Sequence, residues 1–211
     1  MLADLGGEGD RLAHLEADLA DLAAPRRLVS AAVERFGPLD GLVLNHARSQ
    51  LGVLDELEAE TLDLTWAVNV RSSLVVVRAF AEQYRPGPDS GRVVLFTSGQ
   101  HLGPAPSEIP YAAPKGALQQ ITRMLADARH HRQLRQSRTH RHWLGTLDQE
   151  AFIARHMPRG RWNTPAEAAD VVALLLAPEA ATIPGQIVDA EGGFRRFTPT
   201  RSIALASPGE G

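Results

Sequence analysis

The densest apolar block in the chain is Val93-Val94-Leu95-Phe96, a short β-branched and aromatic run that predicts a buried strand. Leu39–Asn45 holds a second, Leu42-Val43-Leu44, without polar alternation, as in a parallel strand covered on both faces. Gly185–Asp189 reads as a last strand, and Leu12–Asp18 alternates apolar and polar residues as a strand ending at Asp18-Leu19 would. Helical patterns lie between. Pro25–Phe36 carries Leu28, Val29, Ala32, Val33 and Phe36, with proline near its first turn and Gly37-Pro38 to stop it. Thr61–Tyr84 is a long helix containing Asn69, closed by Pro86-Gly87-Pro88. A helix bearing Tyr111 follows the Val93 strand, Glu150–His156 is a short one, and Pro165–Leu176 is capped by Thr164 with Glu167 three residues on. Leu2–Leu5 before Gly6-Gly7 reads as the tail of a helix, so the chain is expected to have begun earlier. Strands alternating with helices predict a parallel α/β sheet. One domain is expected over residues 1–197, irregular at 129–146, with a disordered tail at 198–211.

Composition narrows the class. The 211 residues are 44% apolar and 22% charged, the proportions of a soluble globular domain. A net charge of -3 argues against nucleic acid or a membrane as partner. The absence of cysteine excludes disulfides and thiol chemistry and, with no apolar span or signal-like start, fits the cytoplasm.

Candidate chemistry gathers in Gly91–Leu118. Ser98 sits just past the apolar strand, a Gly/Pro-rich loop follows, and then Tyr111 and Lys115 stand four residues apart, a spacing that puts both on one helix face. Lys115 is the only lysine in the chain. A phenol, an ammonium and a hydroxyl near a strand end can move a proton to or from a carbonyl oxygen. An ammonium beside a phenol is expected to lower the phenol's pKa toward the useful range. Pro114 between them is tolerable in a first helical turn.

The strand–Ser98–loop–Tyr111-x-x-x-Lys115 order resembles the catalytic segment of the short-chain dehydrogenase/reductase family, including its 3-oxoacyl-acyl-carrier-protein reductase-like members. Other stretches are similar in order. Asn45-His46-Ala47-Arg48 resembles the family's Asn-Asn-Ala-Gly, with His46 and Arg48 as departures. Asn69 in Ala67-Val68-Asn69-Val70 matches its helix-borne Asn. Arg159-Gly160-Arg161-Trp162 and Pro165-Ala166-Glu167 resemble the run before its penultimate helix, and Gly185–Asp189 with Gly192-Gly193 matches its last strand. The resemblance implies Ser98, Tyr111, Lys115 and Asn69 as catalytic residues, Asn69 holding a relay water. It implies NAD or NADP as cofactor, contacted by Asp18, Asn45, Ala47, Tyr111 and Lys115. A small carbonyl or alcohol would be substrate, and homo-oligomers could form through the helices containing Asn69 and Tyr111.

Two parts of the pattern are missing. The opening strand–glycine loop–helix unit has no counterpart, because Gly6-Gly7-Glu8-Gly9 reads as a turn. The strand expected after the catalytic helix is replaced by Arg129–Gly145, rich in Arg and His. As a nucleic-acid patch it lacks strand periodicity, and as a metal site His130, His131, His140 and His142 lack a standard spacing. One coding of the same stretch, read a base out of frame, gives Gly-Ile-Thr-Val-Asn-Ser-Val-Asn-Pro-Gly-Pro-Thr-Asp-Thr-Gly-Trp. That is the strand and Pro-Gly loop the resemblance implies. A compensated pair of frameshifts, in the gene or in its reading, is therefore expected near residue 129 and near residues 146–148. The predicted fold is an incomplete Rossmann-like doubly wound parallel sheet lacking the first βαβ glycine-loop unit and the sixth strand. Two functions stand side by side: an NAD(P)-dependent oxidoreductase, or an inactive remnant that is at most an interaction module. The missing cofactor bed favours the second for the chain as it stands.

Overall fold

The computed structural model describes residues 6–84, 91–102, 105–127, 133–138 and 149–193. In chain order these form α1 (Ala24–Phe36), β1 (Gly41–Leu44), α2 (Ala59–Trp66), a π turn (Ala67–Arg71) and α3 (Ser72–Gln83). Then come β2 (Arg92–Thr97), α4 (Ile109–Asp127), β3 (Gln133–Arg138), α5 (Gln149–His156), α6 (Pro165–Leu176) and β4 (Ile187–Asp189). The strands make one all-parallel sheet in the order β1-β2-β3-β4.

β2 is the centre, buried along its whole length. Its alternation sends Val93 and Leu95 to one face and Val94 and Phe96 to the other. The first pair packs with Val29, Leu44, Val76, Ala79, Phe80 and Tyr84 beneath α1 and α3. The second pair packs against Leu175 of α6. Helices thus cover both faces, which is the doubly wound arrangement. Gly91 enters β2 so tightly under the Tyr84 ring that a β-carbon there would lie 2.5 Å from it. The capping box predicted at Thr164 is formed: Glu167 N–H donates to Thr164 Oγ1 and Thr164 N–H to Glu167 Oε2.

Three expectations are corrected. Leu12–Asp18 forms no strand; after an antiparallel bridge between Gly9 and Leu12 it has no regular structure, with Leu15 55% exposed. A strand is held by its ladder, and among the described residues no strand lies beside this segment. The sixth strand is present: Gln133–Arg138 pairs with β2 from Arg92↔Gln133 to Thr97↔Arg138, and with β4 from Gln136↔Ile187. Parallel pairing is made by backbone groups, so it proceeds without an apolar side-chain pattern. Pro114 lies in the second turn of α4, not the first. Having no N–H, it leaves the carbonyl of Pro110 without its helical partner. The rest of 129–146, the Leu2–Leu5 helix tail, Pro86–Pro88 and the 198–211 tail lie outside the described residues.

Candidate active site

The site forms where β2 ends. Ser98, one residue past the strand, is buried at 3% exposure, and Lys115 of α4 is buried at 2%. The Lys115 ammonium donates to the carbonyl of Phe96 at 2.7 Å, which fastens α4 to the strand end two residues before Ser98. Tyr111 lies one turn earlier on the same face, and the ammonium sits over its ring, 5.8 Å from the centroid. The predicted Tyr–Lys face is therefore formed.

Its electrostatics differ from expectation. Burial, with the Glu108 carboxylate second, pushes the Tyr111 phenol up to about 12. Burial pulls Lys115 down to about 8. The expected lowering of the phenol does not occur, because the ammonium lies over the ring face while desolvation and Glu108 both disfavour phenolate. Glu108 is held in turn by the amide of Gln100. The 45–53 loop is tied over this side of the site, Gly52 N–H donating to the Ser107 carbonyl at 2.8 Å. A β-carbon at Gly52 would meet Pro110 at 3.0 Å.

Asn69 is buried in the π turn, where the N–H of Ser72 reaches back five residues to the carbonyl of Ala67. Its side chain is committed to the strand-end loop: Oδ1 accepts from Arg48 N–H at 2.7 Å and Nδ2 donates to the Arg48 carbonyl at 3.0 Å. The amide thus clamps Arg48 in the way two backbone groups clamp each other. The Arg48 side chain itself is exposed.

His46 completes this cluster, and sequence reasoning assigned it no role. Its Nε2 lies within bonding distance of the Val68 carbonyl, Ser72 Oγ and Ser73 Oγ. Burial first, and the Lys115 charge second, hold it below the usual imidazole range, against the Val68 bond. The signal was in view as a departure from the Asn-Asn-Ala-Gly pattern.

Asp18 is exposed, and its Oδ1 caps the N–H of Ala20 at 2.8 Å. The Arg71 guanidinium donates to the Ala20 carbonyl, so this turn is tied to the end of the π turn. Asn45 and Ala47 are exposed beyond β1. The Asp18–Ala20 turn is thus tied to the π turn through Arg71, and the loop carrying Asn45 and Ala47 through Asn69 and Arg48. Lys115 ties α4, with Tyr111, to the end of β2 beside Ser98.

A dinucleotide fits one part of this arrangement better than the other. At the β2 end, Thr97 Oγ1 and Gln100 Oε1 are buried and have no hydrogen-bond partner among the described residues, which leaves polar capacity near Ser98 for a ligand. At the other end Gly6–Gly9 is a turn, and α1 starts only at Ala24, with the N–H groups of Ala23 and Ala24 already bonded to Asp21. No glycine-loop helix terminus for a pyrophosphate stands there among the described residues. A shallow hollow of about 450 Å³ beside α1, lined by residues such as Leu22, Arg26 and Ser30, includes none of the site residues. Among the described residues no group of three or more acidic, His or Cys side chains could hold a metal ion.

Comparison with known proteins places these features. A family model described as enoyl-(acyl carrier protein) reductase matches residues 2–195. An uncharacterised oxidoreductase of Bacillus subtilis, YjdA, is 34% identical over 194 residues, covering 89% of this chain and 77% of its own. A short-chain dehydrogenase/reductase of Serratia marcescens superposes with a TM-score of 0.76 at 31% identity, covering 85% of this chain and 75% of its own. A short chain dehydrogenase of Burkholderia cenocepacia, solved in complex with NADP, gives 0.75 at 29% identity, with coverages of 91% and 79%.

Proposed function

Since the chain belongs to the short-chain dehydrogenase/reductase family, we propose that it interconverts a carbonyl and a secondary alcohol on a small molecule, with NAD or NADP as hydride carrier. The observation that carries this reading is the Tyr111–Lys115 face of α4 bonded to the end of β2 beside Ser98. When bound, the cofactor supplies or accepts the hydride. Lys115, Tyr111, Asn45, Ala47 and Asp18 are the residues that would hold it.

The chain's own residues handle the oxygen and its proton. With its pKa raised, Tyr111 is a neutral phenol at pH 7 and acts as the proton donor to a carbonyl oxygen becoming an alcohol. Ser98 donates a hydrogen bond to that same oxygen and steadies the charge developing there. Lys115, charged below about 8, lies over the Tyr111 ring and holds α4 against the end of β2, which keeps the phenol beside Ser98. The clamp of Asn69 on Arg48 fixes the loop that carries Asn45 and Ala47.

A second reading, a chain without catalysis, draws on the Gly6–Gly9 turn, which among the described residues offers a pyrophosphate no helix terminus. Titrating the full chain with NADH and NADPH while following nicotinamide fluorescence separates the two. Saturable binding near the micromolar range, with Tyr111→Phe lowering turnover by about 100-fold or more, is expected of the oxidoreductase. No saturation with either nucleotide would leave the second reading standing.

A further inference from the structure

Three oxygens crowd one nitrogen of His46. Nε2 lies 3.0 Å from Ser72 Oγ, 3.1 Å from the Val68 carbonyl and 3.3 Å from Ser73 Oγ. The carbonyl can only accept. Ser72 and Ser73 spend their hydroxyl protons on the carbonyls of Val68 and Asn69, so both present lone pairs to the ring. Nε2 therefore carries the proton, and the neutral ring keeps a bare lone pair on Nδ1. Through these bonds His46 joins the loop after β1 to the π turn and the start of α3, alongside the Asn69–Arg48 clamp.

The surrounding charges favour the same protonation state. Arg48, two residues along the loop, is exposed. Arg71 of the π turn directs its guanidinium to the Ala20 carbonyl. Lys115 of α4 is the charge that acts on the buried ring, and an imidazolium would set a second positive charge near it. The asparagine of the family pattern could not take a charge at any pH, whereas histidine can.

We propose that His46 is a positioning residue of the site: donating from Nε2 as a neutral imidazole, it locks the Asn45–Arg48 loop to the π turn and keeps a second cation away from Lys115. Its effect on turnover rests on the oxidoreductase reading; its protonation and its hold on the loop do not. Acidification adds its proton at Nδ1, so the Nε2–H bonds that hold the loop persist while a second positive charge appears near Lys115.

The test uses the full chain labelled with nitrogen-15 histidine. His46 is identified as the ring signal missing from His46→Asn. That ring is expected in the Nε2–H form at pH 7, titrating below the exposed histidines and moving back up in Lys115→Met. An Nδ1–H ring, or one whose titration ignores Lys115→Met, overturns the proposal. Amide exchange at Arg48 should quicken by about tenfold in His46→Ala and return toward wild type in His46→Gln, whose amide donates without being able to ionise. Failure of Gln to restore slow exchange overturns the positioning role, even where His46→Ala does not fold. If the chain oxidises NADH or NADPH with a carbonyl substrate, His46→Gln should keep KM and flatten the acid limb of the kcat profile; an unchanged limb counts against the charge effect. A wild-type chain that binds neither nucleotide sinks the oxidoreductase reading alone, since the spectra and the exchange still decide His46.

Discussion

Lys115 combines a buried charge with a position at the end of β2, and its titration links this site to stability. Its folded pKa of about 8 lies below the unfolded value, so the native state binds the proton less readily than the unfolded chain. Burying the ammonium therefore opposes folding below about pH 8, and the penalty fades as pH rises from there through the unfolded value of about 10.4. Tyr111 has the reverse consequence: above about pH 10 the unfolded phenol ionises while the native one waits until about 12, so stability falls in that window. Lys115→Met is accordingly expected to stabilise the chain at pH 7 by about 1–3 kcal/mol, with the advantage shrinking by pH 10. Urea unfolding of both proteins at the two pH values checks this, and an advantage that does not depend on pH would rule it out. The pairing of Tyr111 with Lys115 was legible because helical periodicity turns a spacing into a face. The direction of the Tyr111 shift was not, because it comes from burial and from Glu108, which tertiary packing brings up.

At the scale of elements, the π turn does most to shape the site. It widens the helix at Asn69, and Ser72 and Ser73 brace it by returning hydroxyl protons to Val68 and Asn69. Asn69→Ala would leave the Arg48 N–H and carbonyl without their partners, at a cost of about 1–3 kcal/mol. The thermal midpoint measures the loss, and Asn69→Asp, which sets a buried carboxylate oxygen against the Arg48 carbonyl, should lose at least as much. Sequence marked Asn69 through its neighbours but not the π turn, since an extra residue in a helical turn leaves the apolar spacing of Thr61–Tyr84 almost unaltered. The capping box at Thr164 was readable for the opposite reason, its contacts lying within four consecutive residues. β3 was read as lost because side-chain pattern was the only guide to it, whereas its place in the sheet is a matter of backbone pairing with β2 and β4.

For the whole molecule, the sheet ends at β1. One edge of that strand pairs with β2 and the other has no strand beside it among the described residues. Val43 there is 39% exposed, and Leu22 and Leu15, from the segment that forms no strand, are 74% and 55% exposed. An open parallel edge with apolar neighbours favours pairing with other chains. Val43→Lys is expected to reduce self-association, read by light scattering across a concentration series; equal scattering from both proteins would show that the edge is not the contact. The parallel order of the sheet also governs how fast it can assemble. Gly41 pairs with Arg92 and Arg92 with Gln133, so each ladder must close a long stretch of chain before its first hydrogen bond forms. Helices such as α3 and α4 can form within about a microsecond, while strand docking across such separations takes milliseconds or longer. During that interval the apolar faces of the helices stand uncovered, so the yield of folded protein depends on chain concentration while folding is under way, before the open edge of the finished sheet has any part in it.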